Sequence, residues 1–437
     1  MRDAPLSWEG GSQSDGAPKL GFWMTTALIM GNMIGSGVFL LPASLAPLGW
    51  NGVAGWIITI GGAMALAWVL ARLTAALPGG GGPIGFVESA FGRVPAFLIG
   101  WSYWVSIWTA VVTIAVAGVS SLSSLMPILG DTPFLPALLA VGLLWVITLV
   151  NLWGVRAAGG FQLVTTLLKI VPLVIVIGIA ARLLVTGQAN LRPFPTEGLH
   201  GGEIGAAMAL TLWALLGFES ASMASARVEN ADVTVPRATL LGTAATGLLY
   251  LFVCSAIALM LPEAVASASP APFATFIARN WGEGPASAIA IFVTISCVGA
   301  LNGWVLMQGE LPRAMAERGL LPQWFGVLDK RGVPRRALLL SSAIASIFVL
   351  MNAAKGMKAL FEFLLLLSTS ATLWLYLACA LAALKLRVAV PLAAVGAFYA
   401  LWTLWGAEWA SLWSFVLMAS GLPLYWWVRR SAPLRSL

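Results

Sequence analysis

Three glycines interrupt the first hydrophobic stretch of the chain, at Gly31, Gly35 and Gly37. Glycine weakens a helix interior, and unpaired backbone groups inside a membrane need partners from protein, water or a ligand. A half-helix starting near Gly37 presents free N–H groups to a carboxylate, and one ending near Met33 offers carbonyls to an ammonium. The break therefore predicts a site for the zwitterionic head of an amino acid, with Ser36 inside it. Close helix packing through small residues is the alternative.

A carboxylate lies within another apolar stretch, at Glu219, two residues after Gly217. Charged groups are costly in the hydrocarbon region, and those that occur there are usually functional. Glu219 is a candidate for pairing with a cation or exchanging a proton; a buried structural hydrogen bond is the alternative. This stretch is the sixth, five after the glycine break. The two helices therefore run in opposite directions, as an inverted five-plus-five repeat requires.

Lys169 is the single charged residue of the fifth apolar stretch and lies far from both of its ends. A lysine there cannot easily extend its ammonium to the membrane surface. It is a candidate for carrying a proton or for replacing a bound sodium ion with its own charge. The alternative is a lysine held by helix carbonyls, without a role in coupling.

Aromatic residues are candidates for the walls of a pocket. Trp213 adjoins the carboxylate segment, Trp304 lies in the eighth stretch, and Tyr103 lies in the third. Many tryptophans of a membrane protein lie at the bilayer interface, which is the alternative for any one of them. Trp213 gains weight from its position beside the second break.

Twelve hydrophobic stretches must position these residues. Of the 437 residues 59% are hydrophobic and 9% charged, with a mean hydropathy of +0.91, whereas a soluble domain has roughly 25% charged residues. No Asp, Glu, Lys or Arg occurs between Lys19 and Arg72, a length that holds two spans. The others lie at about 95–127, 133–153, 157–181, 203–226, 238–262, 285–310, 337–354, 363–384, 388–407 and 409–428. The sequence predicts an all-α membrane protein with twelve transmembrane helices, a five-plus-five inverted repeat, and broken helices 1 and 6.

The basic residues predict the orientation. With the N-terminus inside, 18 Lys and Arg fall on the inner side and 5 on the outer side, and Lys169 completes the 24. Lys and Arg favour cytoplasmic loops, so we expect a protein of the cell (inner) membrane with both termini in the cytoplasm. The net charge of +7 then reflects topology, and no nucleic-acid partner is expected. Residues 1–20 are predicted to be a disordered tail, 21–428 the transporter domain, and 429–437 a short basic tail.

The chain lacks the residues that several other classes of function require. Cys254, Cys297 and Cys379 lie in apolar stretches and His200 in a polar connection, so no metal, cofactor or enzymatic centre is expected. The loop of Gly79 to Gly82 lacks the ending of a phosphate-binding loop. The spans are too apolar for a lined channel. The patterns favour a secondary transporter, and a transport-inactive amino-acid sensor stays open.

The chain resembles the amino acid–polyamine–organocation superfamily, and within it the bacterial arginine/agmatine antiporter family. The resemblance covers about residues 20–428, and its most specific pieces are 31–46, 213–222, Gly303-Trp304 and 319–322. It implies alternating access around a central amino-acid site.

By position, the resemblance implies roles for individual residues. Met33, Ser36 and Gly37 match the segment that holds the substrate's head group, Trp213 an outer gate, and Glu219 a proton-sensitive carboxylate. Trp304 matches an aromatic wall of the pocket, and Ser368 a polar pocket residue. The predicted substrate-binding residues are Met33, Gly35, Ser36, Gly37, Ile107, Val111, Trp213, Leu216, Trp304 and Ser368; those for gating or coupling are Tyr103, Trp213, Glu219 and Lys169.

Departures from the arginine/agmatine pattern bear on the substrate. Val111 replaces the family's guanidinium-binding asparagine, Ile107 a cysteine and Ile114 a methionine. A buried guanidinium needs acceptors, so we expect a neutral apolar amino acid, carried by exchange or proton coupling without sodium. An arginine/agmatine-type, other cationic amino acid or polyamine exchanger is the alternative. Lys169 replaces an alanine and matches a lysine of proton-coupled, sodium-independent relatives. Lipid surrounds the protein, protons are a candidate coupling ion, and a homodimer stays open.

Overall fold

A computed structural model describes residues 21–77, 82–126, 128–132, 134–153, 155–219, 228–353 and 356–431. The predicted tail 1–20, Gly79 to Gly81 and the end of the sixth stretch lie outside these ranges. The helices are α1 Phe22–Met33, α2 Gly37–Leu45, α3 Trp50–Ala76, α4 Gly82–Phe91, α5 Arg93–Ser123, α6 Ile128–Asp131, α7 Leu135–Leu152, α8 Val155–Val185, α9 Gly201–Leu215, α10 Ala231–Met260, α11 Glu263–Ala268, α12 Pro272–Trp281, α13 Glu283–Glu317, α14 Arg335–Met351, α15 Met357–Lys385, α16 Val390–Gly406, α17 Trp409–Ala419 and α18 Leu422–Ser431.

Helices occupy each of the twelve predicted stretches. Among the described residues, eight are long and apolar enough to cross a membrane, or nine if the bent pair α1 and α2 forms one span. The final span consists of α17 and α18 together. The shorter helices α9, α14 and α16 lie at the sixth, ninth and eleventh stretches. The prediction of an all-α, multi-span membrane protein is confirmed.

The first predicted break is present. Helix α1 ends at Met33, residues 34–36 are not helical, and the helix resumes at Gly37 with a bend of 48°. The N–H of Ile34 closes the last turn on the carbonyl of Met30 at 2.7 Å. The glycine-rich segment therefore leaves the helix where the sequence predicts it.

The helix of the sixth stretch also ends inside its predicted span of about 203–226. Helix α9 ends at Leu215, Leu216 is extended, and Gly217 has φ of +116°. Only glycine adopts that φ without strain, so the chain turns at Gly217. Helix α9 thus ends within the segment 213–220, where the sequence places the break of the sixth helix.

Helix contacts agree with the inverted repeat. Helices α1 and α10 pack together, as do α9 and α3; α5 packs on α15, and α13 on α8. If spans 1–5 are replaced by spans 6–10 and the reverse, the contact of α1 with α10 becomes that of α9 with α3. In the same way, the contact of α5 with α15 becomes that of α13 with α8. The contacts of α5 with α7 and of α13 with α14 follow the same rule, and α5 packs on α13 at the centre. A two-fold relation between the halves accounts for these pairs.

The connections contain helices that the hydrophobic pattern does not reveal. Helix α4 follows the glycine loop, and α11 and α12 form the connection after the seventh span, which is folded. Both α11 and α12 pack on α2, where Phe273 meets Phe39 edge to face at 5.0 Å. The connection between α13 and α14 contains the 3₁₀ turn Gln323–Phe325.

Candidate functional site

The two breaks lie against each other. A Cβ atom on Gly37 would lie 2.7 Å from the Trp213 ring and 3.2 Å from Ala214 Cα. A Cβ atom on Gly217 would lie 3.2 Å from the backbone of Asn32. Both glycines therefore permit a close approach that a side chain would prevent. The N-terminus of α2 and the end of α9 meet at one point in the protein interior.

Protein donors bind the carbonyls of the first break. Lys169 Nζ donates to the carbonyl of Gly31 at 3.2 Å, and the Tyr250 hydroxyl donates to that of Met33 at 3.0 Å. Both side chains are fully buried. A carbonyl oxygen has two lone pairs, so these bonds leave one acceptor position at each carbonyl. The sequence predicted Lys169 and Met33 as site residues, but it gave no signal for Tyr250.

Ser36 supplies an unpaired hydroxyl at the N-terminus of α2. It precedes the helix, makes no capping bond, and is 1% exposed. Its Oγ has no hydrogen-bond partner in the structure. The first N–H groups of a helix also lack intrahelical partners. An unpaired hydroxyl and the free N–H groups of a helix terminus are thus assembled at Ser36 and Gly37.

The Glu219 carboxylate is held by three donors. Tyr103 Oη donates to Oε1 at 2.7 Å, and Tyr376 Oη and the Gly217 N–H donate to Oε2 at 2.8 and 3.0 Å. Glu219 is 1% exposed. The sequence predicted Tyr103 and Glu219 but missed Tyr376, whose ring stacks on Phe218 at 4.9 Å. Tyr376 lies eight residues after Ser368 on α15, and that helical spacing was its only signal.

One face of α5 continues from Tyr103 as an apolar wall. Tyr103, Ile107, Val111 and Ile114 recur at three- and four-residue spacing, so they share a helix face. All four are buried. Ser368, predicted as a polar pocket residue, donates to the carbonyl of Ser106 at 2.8 Å and thereby joins α15 to α5.

Two tryptophans lie at the junction of the breaks. Trp213 and Trp304 stack with ring centroids 6.5 Å apart and ring planes at 25°. Trp213 ends α9 together with Ala214 and Leu215, and the N–H of Leu216 returns to the carbonyl of Trp213 at 3.2 Å. The two predicted aromatic residues, from spans six and eight, therefore form one surface. Gly35 faces the Ala300 methyl group on the same helix as Trp304.

One basic and one acidic side chain are buried in this region. Among the described residues, Lys169 and Glu219 are the only buried side chains of the Asp, Glu, Lys, Arg and His types. Lys169 donates to the carbonyl of Gly31, and Glu219 accepts from the N–H of Gly217, which lies close to the neighbouring residue Asn32. In the ranges that the structure covers, no group of three His, Cys, Asp or Glu side chains could hold a metal ion.

Comparison with known proteins identifies the family. The family described as "Amino acid permease" matches residues 20–427. A cadaverine/lysine antiporter of Escherichia coli (strain K12) is 34% identical over 349 residues, 78% of this chain and 77% of the relative. The putrescine transporter PotE of the same strain is 30% identical over 427 residues, 93% of this chain and 95% of the relative. PotE of Haemophilus influenzae (strain ATCC 51907 / DSM 11121 / KW20 / Rd) is 30% identical over 423 residues, 94% and 97%. The superfamily resemblance predicted from the residues is confirmed.

Proposed function

We propose, on the premise that this chain belongs to the amino acid permease family, that it exchanges neutral aliphatic amino acids across the membrane without sodium. Membership of this family makes the protein a multi-pass membrane transporter rather than an enzyme. The substrate, its coupling ion and the orientation of the termini are the proposed parts.

The charge balance of the buried region carries the choice of substrate. Lys169 contributes a positive group and Glu219 a negative one. Among the described residues, no other Asp, Glu, Lys, Arg or His side chain is buried. A zwitterionic substrate with an uncharged side chain adds no net charge. A diamine adds two positive charges, and an unpaired charge in a low-dielectric interior is strongly unfavourable. Glu219 offers little compensation, because three donors already bind its oxygens.

The geometry supports a binding mode for such a substrate. The carboxylate lies at the N-terminus of α2, near Ser36 and Gly37, and the ammonium at the remaining acceptor positions of α1. The aliphatic side chain lies along Ile107 and Val111. Burial of each methylene group in that wall contributes about 0.8 kcal/mol, so longer aliphatic side chains bind more tightly until the space is filled. Trp213 covers the substrate, and its movement off Gly37 opens the site.

Sodium independence is supported by the contact of Lys169 with the first break. Its ammonium lies 3.2 Å from the Gly31 carbonyl, an oxygen of the type that sodium would otherwise use. A cation repels a second cation, so we propose that Lys169 replaces sodium. If exchange is also coupled to protons, Lys169 or Glu219 carries the proton, and only removal of the carrier makes transport insensitive to pH.

A second candidate is exchange of a cationic amino acid or diamine. The observation in its favour is the similarity to a cadaverine/lysine antiporter and to putrescine transporters. Lysine and cadaverine carry a polymethylene stem, which the wall of Ile107 and Val111 also accommodates. This candidate requires Glu219 to exchange a tyrosine donor for the ammonium of the substrate. Arginine is disfavoured, because Val111 gives its guanidinium no acceptor.

Competition between ligands separates the two candidates. Purified protein is mixed with leucine, valine, lysine, arginine, cadaverine or putrescine, and thermal unfolding is recorded. A ligand at 100 times its Kd stabilises the folded state by about 2.7 kcal/mol, which raises the unfolding temperature. We expect leucine and valine to stabilise most. If lysine, cadaverine or putrescine stabilises the protein and leucine does not, the neutral-substrate proposal is wrong.

Transport in liposomes then tests the mechanism. Vesicles loaded with unlabelled leucine should accumulate labelled leucine by counterflow, with choline in place of sodium. Binding without counterflow would identify a transport-inactive sensor. Counterflow that strictly requires sodium would contradict the role proposed for Lys169.

A further inference from the structure

An apolar groove lies on the membrane-facing surface between α3, α8 and α10. It has a volume of about 360 Å³, and its lining includes Trp50, Ile177, Ala181, Phe252 and Ala256. All three helices are candidate membrane spans, so hydrocarbon rather than water adjoins the groove. None of the residues that line the groove belongs to the helix breaks or to the proposed substrate site.

A pair of opposite charges stands at one end of the groove. The backbone N–H of Arg192 donates to the carbonyl of Leu259 at 2.9 Å, and its own carbonyl accepts from Trp50 Nε1 at 3.0 Å. Leu259 and Trp50 both line the groove, so these two hydrogen bonds hold the backbone of Arg192 at the edge of the groove. The guanidinium lies 3.1 Å from the Glu263 carboxylate, and the two side chains are 37% and 51% exposed. The guanidinium also donates to the carbonyl of Ala46 at 2.8 Å, and part of each charged side chain stays exposed beside the groove.

A hydroxyl group without a partner lies deeper in the groove. Ser255 lines it, and Ser255 Oγ is buried with no hydrogen-bond partner. Buried polar atoms are nearly always paired, so this one needs an explanation. Ser255 precedes Leu259 by four residues of α10. Because an α-helix rises 1.5 Å per residue, the hydroxyl lies about 6 Å below the charged rim.

We propose that this groove binds one glycerophospholipid with a zwitterionic, amine-bearing head group, as in phosphatidylethanolamine. The lipid phosphate meets the Arg192 guanidinium, and the lipid ammonium meets Glu263. An ester carbonyl accepts from Ser255, and an acyl chain fills the apolar part. Along the groove the ion pair comes first, then the Ser255 hydroxyl, then the apolar lining. The lipid has its head group, ester and acyl chain in the same order. The count of basic residues assigns this rim to the outer side, so the lipid comes from the outer leaflet.

The neighbouring carboxylate determines the preferred head group. Phosphatidylglycerol lacks the ammonium, and its negative charge would lie beside Glu263. Phosphatidylethanolamine satisfies both members of the pair. For charges exposed to this degree we expect a preference of up to about fivefold, the upper end of the range measured for exposed ion pairs.

Native mass spectrometry of the purified full chain tests the proposal. The protein is delipidated in detergent and mixed with equal amounts of phosphatidylethanolamine and phosphatidylglycerol. We expect one retained lipid per chain, predominantly phosphatidylethanolamine. Ala256→Trp fills the groove and should abolish the retained lipid, whereas Ala394→Trp is a matched control on the exposed face of α16 and should retain it.

Glu263→Gln tests the charge pair by itself. Removing the carboxylate should eliminate the preference, so that both lipids are retained equally. Because the Glu263 side chain is half exposed, this variant keeps the test valid even if Ala256→Trp fails to fold. Equal retention by wild type and Ala256→Trp, or a head-group preference unchanged in Glu263→Gln, would overturn the proposal.

Discussion

Gly37→Ala places one methyl group at the junction of the two breaks. Its Cβ would lie 2.7 Å from Trp213 Cδ1 and 2.8 Å from Nε1, whereas ordinary contacts begin at 3.4 Å. The Trp213 ring must therefore retreat by 0.7 Å, the difference between 3.4 and 2.7 Å. Ala214 Cα at 3.2 Å leaves the new methyl group little room on its other side. The substitution thus displaces the residue that we place over the substrate.

The expected loss follows from overpacking. Added methyl groups in a close-packed interior cost about 1–3 kcal/mol. If that cost falls on the bound state, substrate affinity drops by about five- to 150-fold. Titration calorimetry with leucine on purified protein measures this loss directly. Thermal unfolding without ligand shows how much of the cost falls on the fold instead.

Gly61→Ala is the matched control. A Cβ on Gly61 would meet no atom within 4 Å, and Gly61 lies inside α3. Alanine is the better helix former by up to about 1 kcal/mol, so this variant should keep its affinity and lose no stability. If a folded Gly37→Ala protein binds leucine as wild type does, the close contact with Trp213 has no part in binding, and the proposed position of the substrate is wrong.

Three further outcomes test other parts of the site. Val111→Asn should raise affinity for arginine relative to leucine in competition binding, because it adds an amide to the apolar wall; an unchanged ratio would remove Val111 from the pocket. Tyr376→Phe deletes one of three donors to a buried carboxylate, so thermal or denaturant unfolding should show a loss of about 1.5–3 kcal/mol; a neutral result would mean that Glu219 is protonated or otherwise paired. Lys169→Ala should eliminate the response of leucine uptake to a pH gradient if Lys169 carries the proton, while Glu219→Gln retains it; the reverse pattern assigns the proton to Glu219.

Much of the fold followed from the sequence alone. Hydrophobic stretches of about 20 residues predict transmembrane helices, because the thickness of the bilayer and the pairing of backbone groups constrain each segment by itself. The glycines at 31, 35 and 37 predicted the first break for the same local reason. Composition and motifs also sufficed for the family, which the match over residues 20–427 confirms. The sequence analysis did not predict the connecting helices α4, α11 and α12, because they are short and lie between spans.

Tertiary structure decided which groups meet in the core. Tyr376 reaches Glu219 across 157 positions of sequence, and Lys169 reaches Gly31 across 138. Neither pairing has a local pattern, because it depends on how α15 and α8 pack against the breaks. The close approach of Gly217 to Asn32 is likewise a contact between two segments far apart in the sequence. The sequence by itself determined the spans, the glycine break and the candidate charges; packing decided their partners, because a buried polar group takes whichever neighbour the fold supplies.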